Sequence, residues 1–330
     1  MILLVGLCLV CWLEPRSSAD AQQGESKPVQ NPKEEPQTIR LGTQLVNVFF
    51  SVTDKKNQYI NDLSKNEVMV LENGRPQQIF TFKHEVDLPL TVAILVDISN
   101  SVRSIIPRLT SASSKFLNSV MRPEIDTSAL IQFDSEATLI EDLTSNLGRL
   151  SGSLQELEHS LSLPPKREGI LPPPVTAGSR RGGTAIYDAV VAVSQDLLAP
   201  RKGRKTIILF TDGQDTTSFT KREEAVDLAI HTETIIYAIG IGQESDETVN
   251  KKDLNKLCEQ TGGRAYIPKT VQDLDRAFAQ LEQELRQQYL LAYEPANDHA
   301  DGSFRRIEVR LRNRKDLAVH HRPGYYAVKP

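Results

Sequence analysis

The chain has 330 residues, 39% of them apolar and 25% charged, and a formal net charge of −4. That length accommodates two domains, or one large domain with additions, and the composition is that of an ordinary globular protein. The negative charge and the 6% aromatic content argue against nucleic acid as a partner, because such a surface wants a basic patch or stacking aromatics.

The first feature in chain order is an apolar run from Ile2 to Leu13, followed by Ala19-Asp20-Ala21, which has the A-x-A form of a cleavage site. The run is shorter than the roughly 20 apolar residues that span a bilayer. Residues 1–21 are therefore expected to be a signal peptide, the protein to be secreted or periplasmic, and the mature chain to have no membrane span. Cys8 and Cys11 leave with that peptide, so Cys258 is alone in the mature monomer and forms no internal disulfide. Its setting in a helical pattern reads as a buried apolar residue rather than a reactive thiol. Residues 22–40 are polar, Pro-containing and aperiodic, as in a disordered linker.

Residues 41–87 form a β segment. Val46, Val48, Phe50 and Val52 alternate along a first strand, Val68 and Val70 mark a second, and Ile79 with Phe82 suggests a third. From residue 88 to 287 strands and helices alternate. The spacing predicts strands at 91–97, 127–134, 137–142, 205–211, 234–240 and 264–267, and helices at 103–121, 147–161, 184–198, 221–231, 250–261 and 271–287. The strands near 91–96 and 206–210 are apolar at almost every position, as parallel strands buried on both faces are. Such alternation predicts an α/β doubly wound sheet, with one antiparallel edge strand after the short turn at Ser135-Glu136-Ala137. A Pro- and Gly-rich insertion at 163–183 runs into Thr184; it reads either as a segment overhanging a site there or as an insertion without a role. Strands return over 288–330. Each β flank is too small for its own core, so the two are expected to share one β-sandwich.

In an open α/β sheet, function gathers at the C-terminal ends of the strands. There the first buried strand ends in Asp97, Ser99 and Ser101, another ends in Thr211-Asp212-Gly213, and two glycines lead to Thr184 at the start of a helix. Each feature alone also suits a helix cap or a turn. Asp215, beside the Asp212 turn, is expected to serve the turn. Together Asp97, Ser99, Ser101, Thr184 and Asp212 form an oxygen-only donor set, which suits Mg²⁺, Mn²⁺ or Ca²⁺ rather than zinc. An ion held largely by neutral hydroxyls keeps much of its charge and attracts an outside carboxylate.

The residues "DISNS", the Thr of "GGTAIYDA" and the Asp of "FTDGQDT" resemble the D-x-S-x-S…T…D set of von Willebrand factor type A domains, the metal-ion-dependent adhesion site. The resemblance covers about residues 88–287 and implies a Rossmann-like fold, a divalent cation and ligand binding at the metal face. It implies that Ser99, Ser101 and Thr184 are hydroxyl ligands and that Asp97 and Asp212 act largely through water. The flanks resemble the bacterial VWFA-related family first recognised in Acidobacteria, whose members are typically exported.

The expected function is metal-dependent adhesion or protein interaction, the partner being a protein that supplies an acidic residue. A structural scaffold with a silent or stabilising metal is the alternative. A metal-assisted hydrolase is less well supported: there are only six His, no G-x-S-x-G, and no evident general base at the site. The chain is therefore not expected to be an enzyme.

Overall fold

The structure is a computed structural model and describes residues 45–84, 88–162, 183–242 and 249–327. The expected signal peptide and linker, and residues 163–182 of the expected insertion, lie outside the described residues.

In chain order the elements are β1 (Val46–Thr53), β2 (Val68–Glu72), β3 (Arg75–Gln77), β4 (Ile79–His84), β5 (Leu90–Asp97), α1 (Ile106–Val120), β6 (Thr127–Phe133), β7 (Ala137–Thr144), α2 (Leu147–Ser162) and α3 (Ile186–Ala192). They continue with β8 (Arg204–Thr211), α4 (Arg222–His231), β9 (Thr234–Gly240), α5 (Lys251–Thr261), β10 (Ala265–Tyr266), α6 (Val271–Arg286), β11 (Tyr289–Tyr293), β12 (Phe304–Leu311), β13 (Ala318–His321) and β14 (Gly324–Tyr326).

The central sheet has the order β10-β9-β8-β5-β6-β7. All its pairs are parallel except β6–β7. Every residue of β5 and β8 is buried, because both faces of these strands carry helices. Side chains alternate between two cores. Val92, Ile94 and Val96 face Leu109 and Phe116 of α1 and Phe278 and Leu281 of α6. Ala93 and Leu95 face Ile186 and Val190 of α3, Val226 of α4 and Leu254 of α5. From β5 the chain winds outward through β6 and β7, then crosses back to β8 and out to β10. The winding direction therefore reverses between β5 and β8, which is where an open sheet leaves a crevice beyond the strand ends.

Helix α3 begins at Ile186, later than the spacing predicts, and passes into a π-helical turn over Val193–Leu198. Ala199 N–H donates to Ser194 O at 2.9 Å there, and Pro200 stops the helix. Cys258 is fully buried on α5, and burial pushes its thiol well up, which keeps it unreactive.

The two flanks form a β-sandwich together. One sheet has the order β13-β1-β11-β4 and the other β14-β12-β2-β3. Each mixes strands from before and after the α/β region: β1 pairs with both β11 and β13, and β2 pairs with β12. Their shared core contains Val48, Phe50, Val70, Tyr289, Leu291, Ile307 and Val309. Phe50 and Tyr289 stack with centroids 5.1 Å apart. Since β4 leads into the start of β5 and α6 leads into β11, the sandwich attaches at the end of the sheet opposite the crevice. Glu284 of α6 joins the two parts, accepting from the hydroxyls of Ser51 (3.1 Å), Tyr59 (2.9 Å) and Tyr266 (2.8 Å). A second joint lies on α4, where the Tyr326 hydroxyl donates to Asp227 at 2.6 Å and the Tyr326 ring stacks on His231.

Candidate metal centre

Asp97 closes β5 and is completely buried. Its Oδ1 accepts from the Ser99 N–H at 2.9 Å and its Oδ2 from the Thr211 hydroxyl at 2.6 Å. The first bond is the local kind in which an Asp side chain takes the backbone two residues on. The Ser99 and Ser101 hydroxyl oxygens lie 3.0 Å apart and half-buried. These hydroxyls do not cap the helix that follows. The chain makes a tight turn over Arg103–Ile105 before α1 begins at Ile106, and the cap positions Val102 and Ile105 carry no side-chain cap bond.

Asp212 follows β8 directly and is 3% exposed. Its Oδ1 accepts from the Gln214 N–H at 2.9 Å, and its backbone carbonyl accepts from Asn250 N–H at 2.7 Å. Gly213 between them has φ +78°, and a Cβ there would come within 2.8 Å of Leu254 Cγ, so the tight turn against α5 requires glycine.

Thr184 is buried and stands two residues before α3 instead of at its start. Tertiary partners take its backbone groups. Its N–H donates to Thr216 Oγ1 at 2.9 Å, and its carbonyl accepts from the N–H groups of Thr216 (2.9 Å) and Thr217 (3.2 Å). The next N–H, of Ala185, donates to Asp134 O at 2.7 Å. Asp215 does more than serve its own turn: its Oδ1 accepts the Ile186 N–H at 2.8 Å, at the first residue of α3.

These bonds bring the three loops to one rim. Ile98 N–H donates to Phe133 O at 2.9 Å, while Ala185 N–H donates to the very next carbonyl, that of Asp134. Thr211 ties the end of β8 to Asp97. Burial raises the Asp97 carboxyl above the usual range; hydrogen bonds from Thr211 and Ser99 oppose the rise, and the nearby Asp212 charge adds to it. Two buried carboxylates that repel one another, beside a hydroxyl pair with no capping task, fit a cation. Among the described residues no group of three or more His, Cys, Asp or Glu side chains is placed to hold a metal, so an ion here would draw on hydroxyls, as hard cations do. Thr211, Thr216 and Asp134 were not in the donor set read from the sequence; each acts through a non-local bond that no spacing signals.

Two family models, both described as von Willebrand factor type A domain, match residues 92–214 and 175–281. This stretch is a von Willebrand factor type A domain. The two matches overlap over the segment that holds Thr184 and Asp212, and Asp97, Ser99 and Ser101 lie in the first. A UPF0353 protein of Mycobacterium avium is 24% identical over 215 residues, 59% of this chain and 60% of that protein. The chain thus spans 60% of the length of the curated relatives it matches. A von Willebrand factor type A structure from Catenulispora acidiphila aligns with TM-score 0.47 and 12% identity, covering 88% of this chain and 75% of that one. Proximal thread matrix protein 1 from the mussel byssus, solved with a zinc-occupied MIDAS motif, aligns with TM-score 0.44 and 16% identity, covering 61% and 49%. In the present chain the von Willebrand factor A domain interrupts the sandwich, entering from β4 and leaving to β11.

Proposed function

We propose that this protein is an exported interaction module whose von Willebrand factor A domain uses one divalent cation to capture an acidic residue of a protein partner. The observation that carries the reading is the pair of buried carboxylates, Asp97 and Asp212, beside the Ser99–Ser101 hydroxyl pair, which caps no helix. Asp97, Ser99, Ser101, Thr184 and Asp212 would hold the ion, with Mg²⁺ or Mn²⁺ or Ca²⁺ suited to all-oxygen donors. When bound, the ion supplies a Lewis-acidic position for the partner's carboxylate. The Thr211 hydroxyl and the Ser99 N–H orient Asp97, and the buried setting strengthens the attraction by excluding water.

The same reading makes the protein a binder rather than an enzyme. His320 meets Thr53 and His321 meets the Val309 N–H in the sandwich, while His231 stacks on Tyr326 at the far joint. Export rests on the apolar run and the A-x-A site near the N-terminus, and on the resemblance of the flanks to exported VWFA-related proteins. No helix among the described residues is long and apolar enough to cross a membrane.

The test is capture of partner from the source cell's surface fraction, with Mg²⁺ or with EDTA, by the unaltered chain and by Asp212→Ala. Retention that needs both the ion and Asp212 supports the reading. Equal capture in EDTA contradicts it and favours a scaffold with a silent site.

A further inference from the structure

The loop after β8 does more than deliver Asp212. Five consecutive N–H groups, from Thr184 to Asp188, each donate to a partner outside their own segment, and four of the five bonds go to residues 215–218. The Thr184 N–H goes to Thr216 Oγ1 at 2.9 Å, that of Ile186 to Asp215 Oδ1 at 2.8 Å, and those of Tyr187 and Asp188 to Ser218 Oγ at 3.1 and 3.3 Å. The Thr184 carbonyl is held by the same segment, through Thr216 and Thr217 N–H. In return, Asp188 accepts the N–H groups of Phe219 and Thr220, both at 2.9 Å. Gly183 permits the approach: a Cβ on it would lie 2.0 Å from Thr217 Cγ2. Thr184 and Asp212 therefore belong to one hydrogen-bonded unit, although they come from different loops.

We infer that Thr216 is a positioning residue for the cation site, fixing the Thr184 hydroxyl relative to Asp212 without touching the ion. The inference rests on the proposed metal reading and deepens it. Residues that orient metal ligands from behind are costly to lose, typically 10- to 100-fold in affinity. A rigid ligand pair also bears on ion choice. Mg²⁺ demands near-ideal octahedral geometry, whereas Ca²⁺ accepts irregular surroundings, so loosening Thr184 penalises Mg²⁺ more.

The experiment is calorimetric titration of the full chain with Mg²⁺ and, separately, with Ca²⁺, together with thermal melting in EDTA. Thr216→Val keeps the side-chain shape and removes the acceptor; it should weaken Mg²⁺ binding about tenfold and Ca²⁺ binding less, and Thr216→Ser should restore both. Ser218→Ala removes three hydrogen bonds from the same loop, those from Tyr187 and Asp188 N–H and the one to Asp215 Oδ1, but none at Thr184, and should leave Mg²⁺ affinity within about twofold. Should Thr216→Val melt early in EDTA, Gly183→Ala decides, since its methyl must push the 216–217 segment away from Thr184 and should also weaken Mg²⁺ preferentially. Mg²⁺ affinity unchanged in the folded Thr216→Val or Gly183→Ala protein overturns the inference, as does an equal loss in Ser218→Ala. Absence of Mg²⁺ and Ca²⁺ binding in the unaltered chain overturns the metal site itself, and this inference with it.

Discussion

The Thr211 hydroxyl lies 2.6 Å from Asp97 Oδ2 and donates to it across 114 residues of sequence. This bond locks the ends of β5 and β8 together at the reversal of the sheet, and it holds a carboxylate that burial alone would tend to neutralise. Gly213 N–H in turn donates to the same Thr211 oxygen at 3.1 Å, so the turn carrying Asp212 is registered on Asp97.

The charge at Asp97 should oppose folding when no cation is present. Its carboxyl is raised, chiefly by burial. A raised carboxyl stabilises the fold fully below the unfolded value of about 3.9 and loses that contribution as pH rises through the folded value. At pH 7 without divalent ions, Asp97→Asn is therefore expected to melt no lower than the parent in a thermal scan, while losing the Mg²⁺-induced rise in melting temperature. A marked drop in EDTA would make Asp97 a structural residue instead.

Glu284 is expected to be the strongest polar joint between the von Willebrand factor A domain and the sandwich. It is 1% exposed, it accepts from Ser51, Tyr59 and Tyr266, and Arg264 Nε stands 3.7 Å away. Glu284→Ala strands those donors, and urea unfolding should show a loss of about 3–5 kcal/mol. A loss below about 1 kcal/mol, the value of an exposed pair, would show that the joint relaxes.

The sandwich should not survive division of its strands. Because β1 lies between β11 and β13, β4 pairs with β11 and β2 lies between β12 and β3, a fragment of residues 41–86 keeps only the short β2–β3 pairing. It is expected to show no cooperative melting by circular dichroism. A sharp transition in that fragment would contradict the shared core.

Acid should act through Asp126. This carboxylate is 1% exposed and accepts from Leu90 N–H at 2.8 Å and from Arg122 N–H and guanidinium. Burial pushes its carboxyl up, but the hydrogen bonds from Arg122 and Leu90 outweigh it and hold the group below the usual range. A depressed carboxyl stabilises above its unfolded value, about 3.9, and that stability is lost as pH falls through the folded value. Asp126→Asn should cost about 2 kcal/mol at pH 7, and the difference from the parent should shrink below pH 4 or so.

The sequence was most legible where burial dictates composition. β5 and β8 read as parallel core strands because Val92–Val96 and Ile207–Phe210 run without a polar residue up to Asp97 and Thr211. The need for a common sandwich followed from the small size of the flanks, yet the interleaving of β1 between β11 and β13 had no local signal. The five donors could be collected from strand ends, but not the bonds that hold them. A Thr closing a β-branched strand reads as a strand former, so Thr211 gave no hint of its bond to Asp97. The Thr216–Thr184 bond joins residues 32 apart, and it draws Thr184 out of the helix that the apolar spacing extends to it.

The rim of β5 and β8 is proposed to hold one hard cation through oxygen donors from three loops. Titration of the full chain with Mn²⁺, following the free ion by electron paramagnetic resonance, tests this most directly. One saturable site per chain is expected, lost in Asp97→Asn and in Asp212→Asn and weakened in Ser99→Ala, Ser101→Ala and Thr184→Val. No binding at millimolar Mn²⁺, or binding that survives both Asp substitutions, would contradict it.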